Sequence, residues 1–188
     1  GLGVFANFLT CDGWRLGFPR YLLSRLALTH DTVDEAIAAI DSVPRASSRN
    51  MVLLDTQGNA ADLETTPTRS ARLRPGLGFI AHANHYVAPS LLGEERYAEG
   101  PRENSCIREG RMIELLAVNR GHLNAELMQE ILRDRATAPD TLSRAPEDDP
   151  TRDVITFASV IAEPAQGQMW IAVGPPHEHP YRCYAFSA

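Results

Sequence analysis

The stretch Met51-Val52-Leu53-Leu54-Asp55-Thr56-Gln57-Gly58-Asn59-Ala60-Ala61-Asp62-Leu63-Glu64-Thr65 fixes the fold class. Two strand-forming runs, 51–55 and 60–65, flank Thr56-Gln57-Gly58-Asn59, whose glycine supplies the positive φ of a tight reversal, so the segment reads as a β-hairpin. Upstream, Gly1 to Leu9 is an apolar, strand-like run ending at the turn Thr10-Cys11-Asp12-Gly13. Two helices are expected between that strand and the hairpin. The first runs from Pro19 to Thr29, with Tyr21, Leu22, Leu23, Leu26 and Leu28 on a wide apolar face and the fixed φ of Pro19 suited to a first turn. The second opens with the capping box Thr32-Val33-Asp34-Glu35, buries Val33, Ala36, Ile37 and Ile40, and is ended by Pro44.

Downstream of the hairpin the pattern predicts a strand over Leu77 to Ala83. A helix over Ser105 to Val118 is stopped by Gly121, and a second over Ala125 to Asp134 is capped by Asn124. Three strands follow at Val154 to Ile161, Met169 to Val173 and Tyr181 to Phe186, the first two joined by a turn from Pro164 to Gly167. This order suits an α+β architecture of antiparallel sheets with segregated helices. At 188 residues and 44% hydrophobic composition, the chain is expected to form a single domain over 1–188.

Composition excludes several functions. Charged residues make up 22% of the chain and the net charge of −6 is spread without single-sign blocks, so neither nucleic acid nor an anionic membrane surface is an expected partner. No apolar run approaches the ~18 residues of a membrane span, and the first residues lack the charged start and cleavage site of a secretory signal. All 18 basic residues are arginine, which favours forked recognition of carboxylates and excludes lysine Schiff-base chemistry within the chain. Cys11, Cys106 and Cys183 are odd in number and form no C-x-x-C pair, which argues for reduced thiols in a cytoplasm rather than disulfides or structural zinc.

Chemistry concentrates in His82-Ala83-Asn84-His85, which is open to three readings. The two histidines could ligate a metal if the chain turns there, the cluster could be purely structural, or the Asn84 carboxamide could point an N–H at a developing oxyanion. No third ligand follows from local spacing, and His177-x-His179 lies among prolines, so no metal is expected. Asn7, inside the run Val4-Phe5-Ala6-Asn7-Phe8-Leu9, needs either buried partners or a cleft. Arg144 and Arg152 bracket the acidic Glu147-Asp148-Asp149, where a salt-bridge network is the first explanation, although Arg152 also stands just before a strand.

Taken together, these signals resemble the N-terminal-nucleophile family of acyl-coenzyme A:6-aminopenicillanic acid acyltransferase. Gly3-Val4-Phe5-Ala6-Asn7-Phe8 is similar to its Gly-Val-x-x-Asn-aromatic strand, and Pro44-Arg45-Ala46-Ser47-Ser48, the 51–55 strand and Asp62-Leu63-Glu64-x-x-Pro67 are similar to the segment leading to its central hairpin. His82-Ala83-Asn84-His85 resembles a His-x-Asn-His in which the asparagine is an oxyanion donor. Arg144 and Arg152 are similar to two arginines at the same spacing.

The resemblance implies a four-layer αββα sandwich with antiparallel sheets and no cofactor. It also implies an acyl-enzyme on an amino-terminal cysteine freed by autoproteolysis, acting on a small acyl amide or acyl thioester. Asn84 would hold the oxyanion, Asn7 would contribute a second polar group, Arg152 would favour the thiolate, and Arg144 would meet a substrate carboxylate, with His82 and His85 beside the substrate. In the resemblance Gly1 corresponds to a point beyond the nucleophile, so the expectation is a carboxy-terminal part, inactive alone, whose missing strands come from an amino-terminal segment or a second chain. The alternatives are a non-catalytic small-molecule-binding homologue and a histidine-based metallohydrolase.

Overall fold

The computed structural model describes residues 1–149 and 154–186. It divides into two compact units, Gly1–Glu103 and Asn104–Ala188. The first holds a four-stranded antiparallel sheet in the order β1-β2-β3-β4, formed by β1 (Leu2–Asn7), β2 (Arg49–Asp55), β3 (Ala60–Thr65) and β4 (Ser70–Leu73). Its two helices, α1 (Arg20–Ala27) and α2 (Val33–Ser42), lie between β1 and β2 in the chain. The hairpin forms as expected. Leu54 pairs with Ala60, and Gly58 takes φ 84° in the turn.

Strand alternation gives the sheet two different faces. Ala6, Met51 and Leu63 fall in one register row, as do Val4, Leu53 and Ala61. These residues pack with Leu23, Ala27, Val33, Ala36, Ile37 and Ile40 into one core, so α1 and α2 cover this face. The capping box of α2 forms, with Thr32 accepting from the Glu35 amide at 3.3 Å. On α1 the buried stripe is narrower than expected. Leu23 and Ala27, one turn apart, are buried, whereas Tyr21, Leu22 and Leu28 point to solvent.

The expected strand over Leu77 to Ala83 does not form; the fourth strand is β4, immediately after the Thr66–Arg69 turn. From His82 onward, backbone groups are met by side chains of the sheet. The carbonyl of His82 accepts from the Asn7 side chain, and the amides of Val87 and Ala88 donate to the Glu64 carboxylate. Side chains take the place of a strand ladder there.

The helix α3 (Glu99–Val118), which enters the second unit at Asn104, begins about a turn and a half earlier than expected, because Pro101 sits in its first turn, where a missing N–H costs nothing. Asn124 caps α4 (Ala125–Leu132) by accepting from the Leu127 amide at 2.8 Å. A three-stranded antiparallel sheet follows in the order β5-β6-β7, with β5 Ala158–Glu163, β6 Gln168–Val173 and β7 Arg182–Ala185. β5 starts later than expected, since Thr156 exchanges hydrogen bonds with Arg144 rather than with a strand. Among the described residues no helix is long and apolar enough to cross a membrane.

Phe18 bridges in parallel to Arg45, and its amide donates to the Pro44 carbonyl at 2.6 Å. This close approach requires Gly17, where a Cβ would overlap the Pro44 carbonyl oxygen and the Arg45 carbonyl carbon. Gly17→Ala is expected to lower the unfolding free energy by about 1–3 kcal/mol, the cost of forcing backbone apart in a packed region. A denaturant titration checks it, and an unchanged midpoint would mean the loop shifts freely.

Candidate functional site

The other face of the first sheet carries acids and amides where a core would be expected. Asn7 pairs with Asn50 and Asn50 with Glu64, and Asp62 lies two residues from Glu64, so all four share the face away from the helices. Asn50, Asp62 and Glu64 are buried. Such groups are tolerated only when hydrogen-bonded, and here they form one network. Asn7 Nδ2 donates to Asn50 Oδ1 at 3.3 Å and to the His82 carbonyl at 2.8 Å, while Asn50 Nδ2 donates to Asp62.

His82 completes the network. Its side chain is fully buried, with Nε2 at 2.8 Å from Glu64 Oε1 and 3.9 Å from Asp62. Burial opposes a charge on the ring, but the Glu64 hydrogen bond and the Asp62 carboxylate outweigh it, and its pKa is raised above the ordinary histidine value. The buried His85 ring stacks on it at 6.4 Å between centroids. Asn84 is only half-buried, and its Nδ2 donates to the Phe8 carbonyl at 3.2 Å. Asn7 and Asn84 therefore each bind the other's segment, and Asn7, His82, Asn84 and His85 come together at the end of β1.

The other expected site residues belong to the second unit. Arg144 has Nη2 buried without a hydrogen bond, 3.7 Å from Asp140, which also accepts from Asn104. Arg152 lies outside the described residues. Glu147, His177 and Glu178 bring ligand atoms within 4.8 Å of one another. Both ring nitrogens of His177 are engaged, by Ser143 at 2.6 Å and by Arg135 at 2.9 Å. A guanidinium already sits in this group, so its chemistry is that of an ion-pair network rather than a cation site.

Residues 1–178 match the family model of acyl-coenzyme A:6-aminopenicillanic acid acyl-transferase. The chain belongs to this acyltransferase family. No curated protein matches it. Membership associates the chain with acyl-transfer and hydrolase chemistry in general.

Within this family member, the sequence pattern did not disclose that Glu64 organises the site. Its carboxylate accepts from His82, from Val87 N at 2.6 Å and from Ala88 N at 3.1 Å. Ordinarily an acid alternating with apolar residues on a strand faces solvent. The available signal was that β3 carries two such acids, Asp62 and Glu64, beside Asn50 on the neighbouring strand. Nor does the sequence disclose the role of Arg45, which is buried and donates to Asp41, Ile40, Thr66 and Arg69, tying α2 to the turn before β4.

The His82 linkage sets a pH dependence. A pKa raised by folding adds stability that is fully present below the unfolded value of about 6.5 and is lost as pH rises through the folded value. Unfolding free energy is therefore expected to decline as pH increases from about 6.5, and His82→Gln should flatten that slope. Denaturant midpoints of both proteins across this range are the measurement. An identical slope in the variant would assign the dependence to another group.

Proposed function

We propose that this acyltransferase-family chain forms the oxyanion-stabilising part of a cysteine N-terminal-nucleophile site that cleaves or transfers the acyl group of a small amide or thioester. The complete catalytic domain would have the family's four-layer αββα architecture. The observation that supports this reading is the reciprocal tie between Asn7 and Asn84. Asn7 binds the His82 carbonyl and Asn84 the Phe8 carbonyl, across 75 and 76 residues of sequence. Two carboxamides are thereby held at one sheet end, backed by a buried carboxylate network that fixes their segments. A preorganised N–H donor of this kind, here Asn84 held by the Asn7 tie, stabilises the charge that develops on a carbonyl oxygen during nucleophilic attack.

Chemically, the cysteine thiol passes its proton to its own α-amine and attacks the acyl carbonyl carbon, the carbon–oxygen π pair moves to oxygen, and Asn84 holds the oxyanion. Collapse expels the amine or thiol, which takes that proton, and leaves a thioester, which water or an amine then resolves. Of the chain's own thiols, Cys11 is buried in a cluster with Leu9, Tyr86, Ala88 and Leu91, a packing environment. As the resemblance implies, the reading assigns the nucleophile to an amino-terminal cysteine rather than to Cys11, Cys106 or Cys183. Arg152 as a thiolate-stabilising charge and Arg144 as a contact for a substrate carboxylate stay with the proposal as the resemblance implies them. The histidine-based metallohydrolase is disfavoured, because His82 Nε2 is occupied by Glu64 and both His177 nitrogens are bonded.

The 188-residue chain by itself is expected to give no turnover of short acyl amides or acyl-coenzyme A thioesters. Turnover that Cys106→Ala or Cys183→Ala abolishes would overturn the assignment. In the gene product carrying the amino-terminal cysteine, Asn84→Ala is expected to slow acylation roughly 100- to 1000-fold while changing the unfolding free energy by no more than about 1 kcal/mol. Single-turnover kinetics and a denaturant titration on that variant decide the matter. A destabilised variant that acylates at the parent rate would make Asn84 a structural tie alone.

A further inference from the structure

The end of β1 carries a second concentration of charge. Arg49 precedes Asn50 and Phe8 follows Asn7, so by alternation both fall on the helix-covered side of the sheet. Arg20, the first residue of α1, meets them there. Its guanidinium carbon lies 4.6 Å from the Phe8 ring centroid, 5.1 Å from that of Tyr21 and 5.3 Å from that of Trp14. The Arg49 guanidinium carbon lies 5.1 Å from the same Tyr21 ring.

Among the described residues, neither Arg20 nor Arg49 makes an ion pair with a carboxylate, as Arg45, Arg69, Arg72 and Arg96 of the same unit do, and Arg20 Nη2 donates to the Tyr21 hydroxyl at 3.3 Å. Arg20 Nη1 and Arg49 Nε are moreover buried without any hydrogen-bond partner. Burial and then the charge of Arg20 push the Arg49 pKa down. Two like charges beside one shared ring, with unanswered N–H groups, oppose folding unless something offsets them.

We propose that Arg20 and Arg49, walled by Trp14 and Tyr21, form a binding site for the carboxylate or phosphate group of a small organic anion. The forked guanidinium donors suit the paired oxygens of either group, and an anion between them removes the mutual repulsion. Trp14 and Tyr21 are 62% and 66% exposed, so these rings can move aside without backbone rearrangement and then offer a face to the organic part of the ligand. The site stands apart from the acyl-transfer reading. Its one link is Phe8, whose ring lies under Arg20 and whose carbonyl accepts from Asn84.

The test uses the intact chain and the fluorescence of Trp14, with Trp170 silenced as Trp170→Phe. Benzoate, phenyl phosphate and the neutral benzamide are the probes. Saturable quenching by benzoate, phenyl phosphate or both, without quenching by benzamide, is expected, and the tighter of the two anions identifies the ligand group. Arg20→Gln and Arg49→Gln should each weaken binding about 10- to 100-fold, the range for loss of a charge-assisted hydrogen bond. Arg25→Gln should leave it unchanged, and the readout is anion binding beside Trp14 rather than acylation, so failure here is distinguishable from failure of the oxyanion assignment. Should Arg49→Gln not fold, Arg49→Lys keeps the charge while losing the fork and is also expected to weaken binding. No saturable anion binding, equal binding of benzamide, or parent affinity in the folded Arg variants would overturn the proposal.

Discussion

The first unit depends on one buried carboxylate. Glu64 is wholly removed from solvent, yet it accepts hydrogen bonds from the His82 ring and from the amides of Val87 and Ala88. An unpaired carboxylate in that position would be prohibitive, and removing one partner of a buried charged pair typically costs about 3–5 kcal/mol. The arrangement is stable only as a set. It is also what brings the segment 82–88, which has no strand of its own, back onto the sheet from which Glu64 projects. Because Asn7 reaches the His82 carbonyl and Glu64 accepts from His82, Val87 and Ala88, displacement of this segment would strand these polar groups together. Such networks specify one arrangement because partial satisfaction is worse than none.

Local signals were legible where the physics is local. The Thr32 cap, the Gly58 turn, the Asn124 cap and the apolar stripe of α2 each depend on residues within four positions of one another, and each forms. Structure departs from expectation where distant partners decide. Residues 77–83 have strand-like composition, but their neighbours' polar groups are met by Asn7 and Glu64, far away in sequence, and the sheet is completed instead by the short Ser70–Leu73. On α1, apolar residues outnumber the places available in the core, and geometry chose Leu23 and Ala27 over Tyr21, Leu22 and Leu28. Composition alone does not make that choice.

The same division holds for the candidate site. Asn7 and Asn84 stand out as candidates in the sequence, one an amide inside an apolar run and the other between two histidines. Their mutual attachment does not, since it links positions 75 and 76 residues apart. Nor did His82 reveal itself as the partner of a buried acid, because an acid alternating with apolar residues on a strand ordinarily faces water. The clue was compositional and two-dimensional: Asn50, Asp62 and Glu64 are neighbours only once the hairpin register is known.

The network also ranks the two carboxamides. Asn7 commits Nδ2 to two acceptors, Asn50 and the His82 carbonyl, and it sits against buried residues whose own bonds depend on it. Diverting it to a transient oxyanion would break the tie that holds the 82–88 segment, so its natural contribution is to position its neighbour. Asn84 is half-buried, and its bond to the Phe8 carbonyl runs at the rim, where water can replace either partner at little cost. A donor that must bind a charge during reaction and release it afterwards belongs at the rim, while the groups that fix its place belong in the interior. On that physical ground the acyl-transfer reading rests its oxyanion on Asn84 and its rigidity on Asn7, His82 and Glu64.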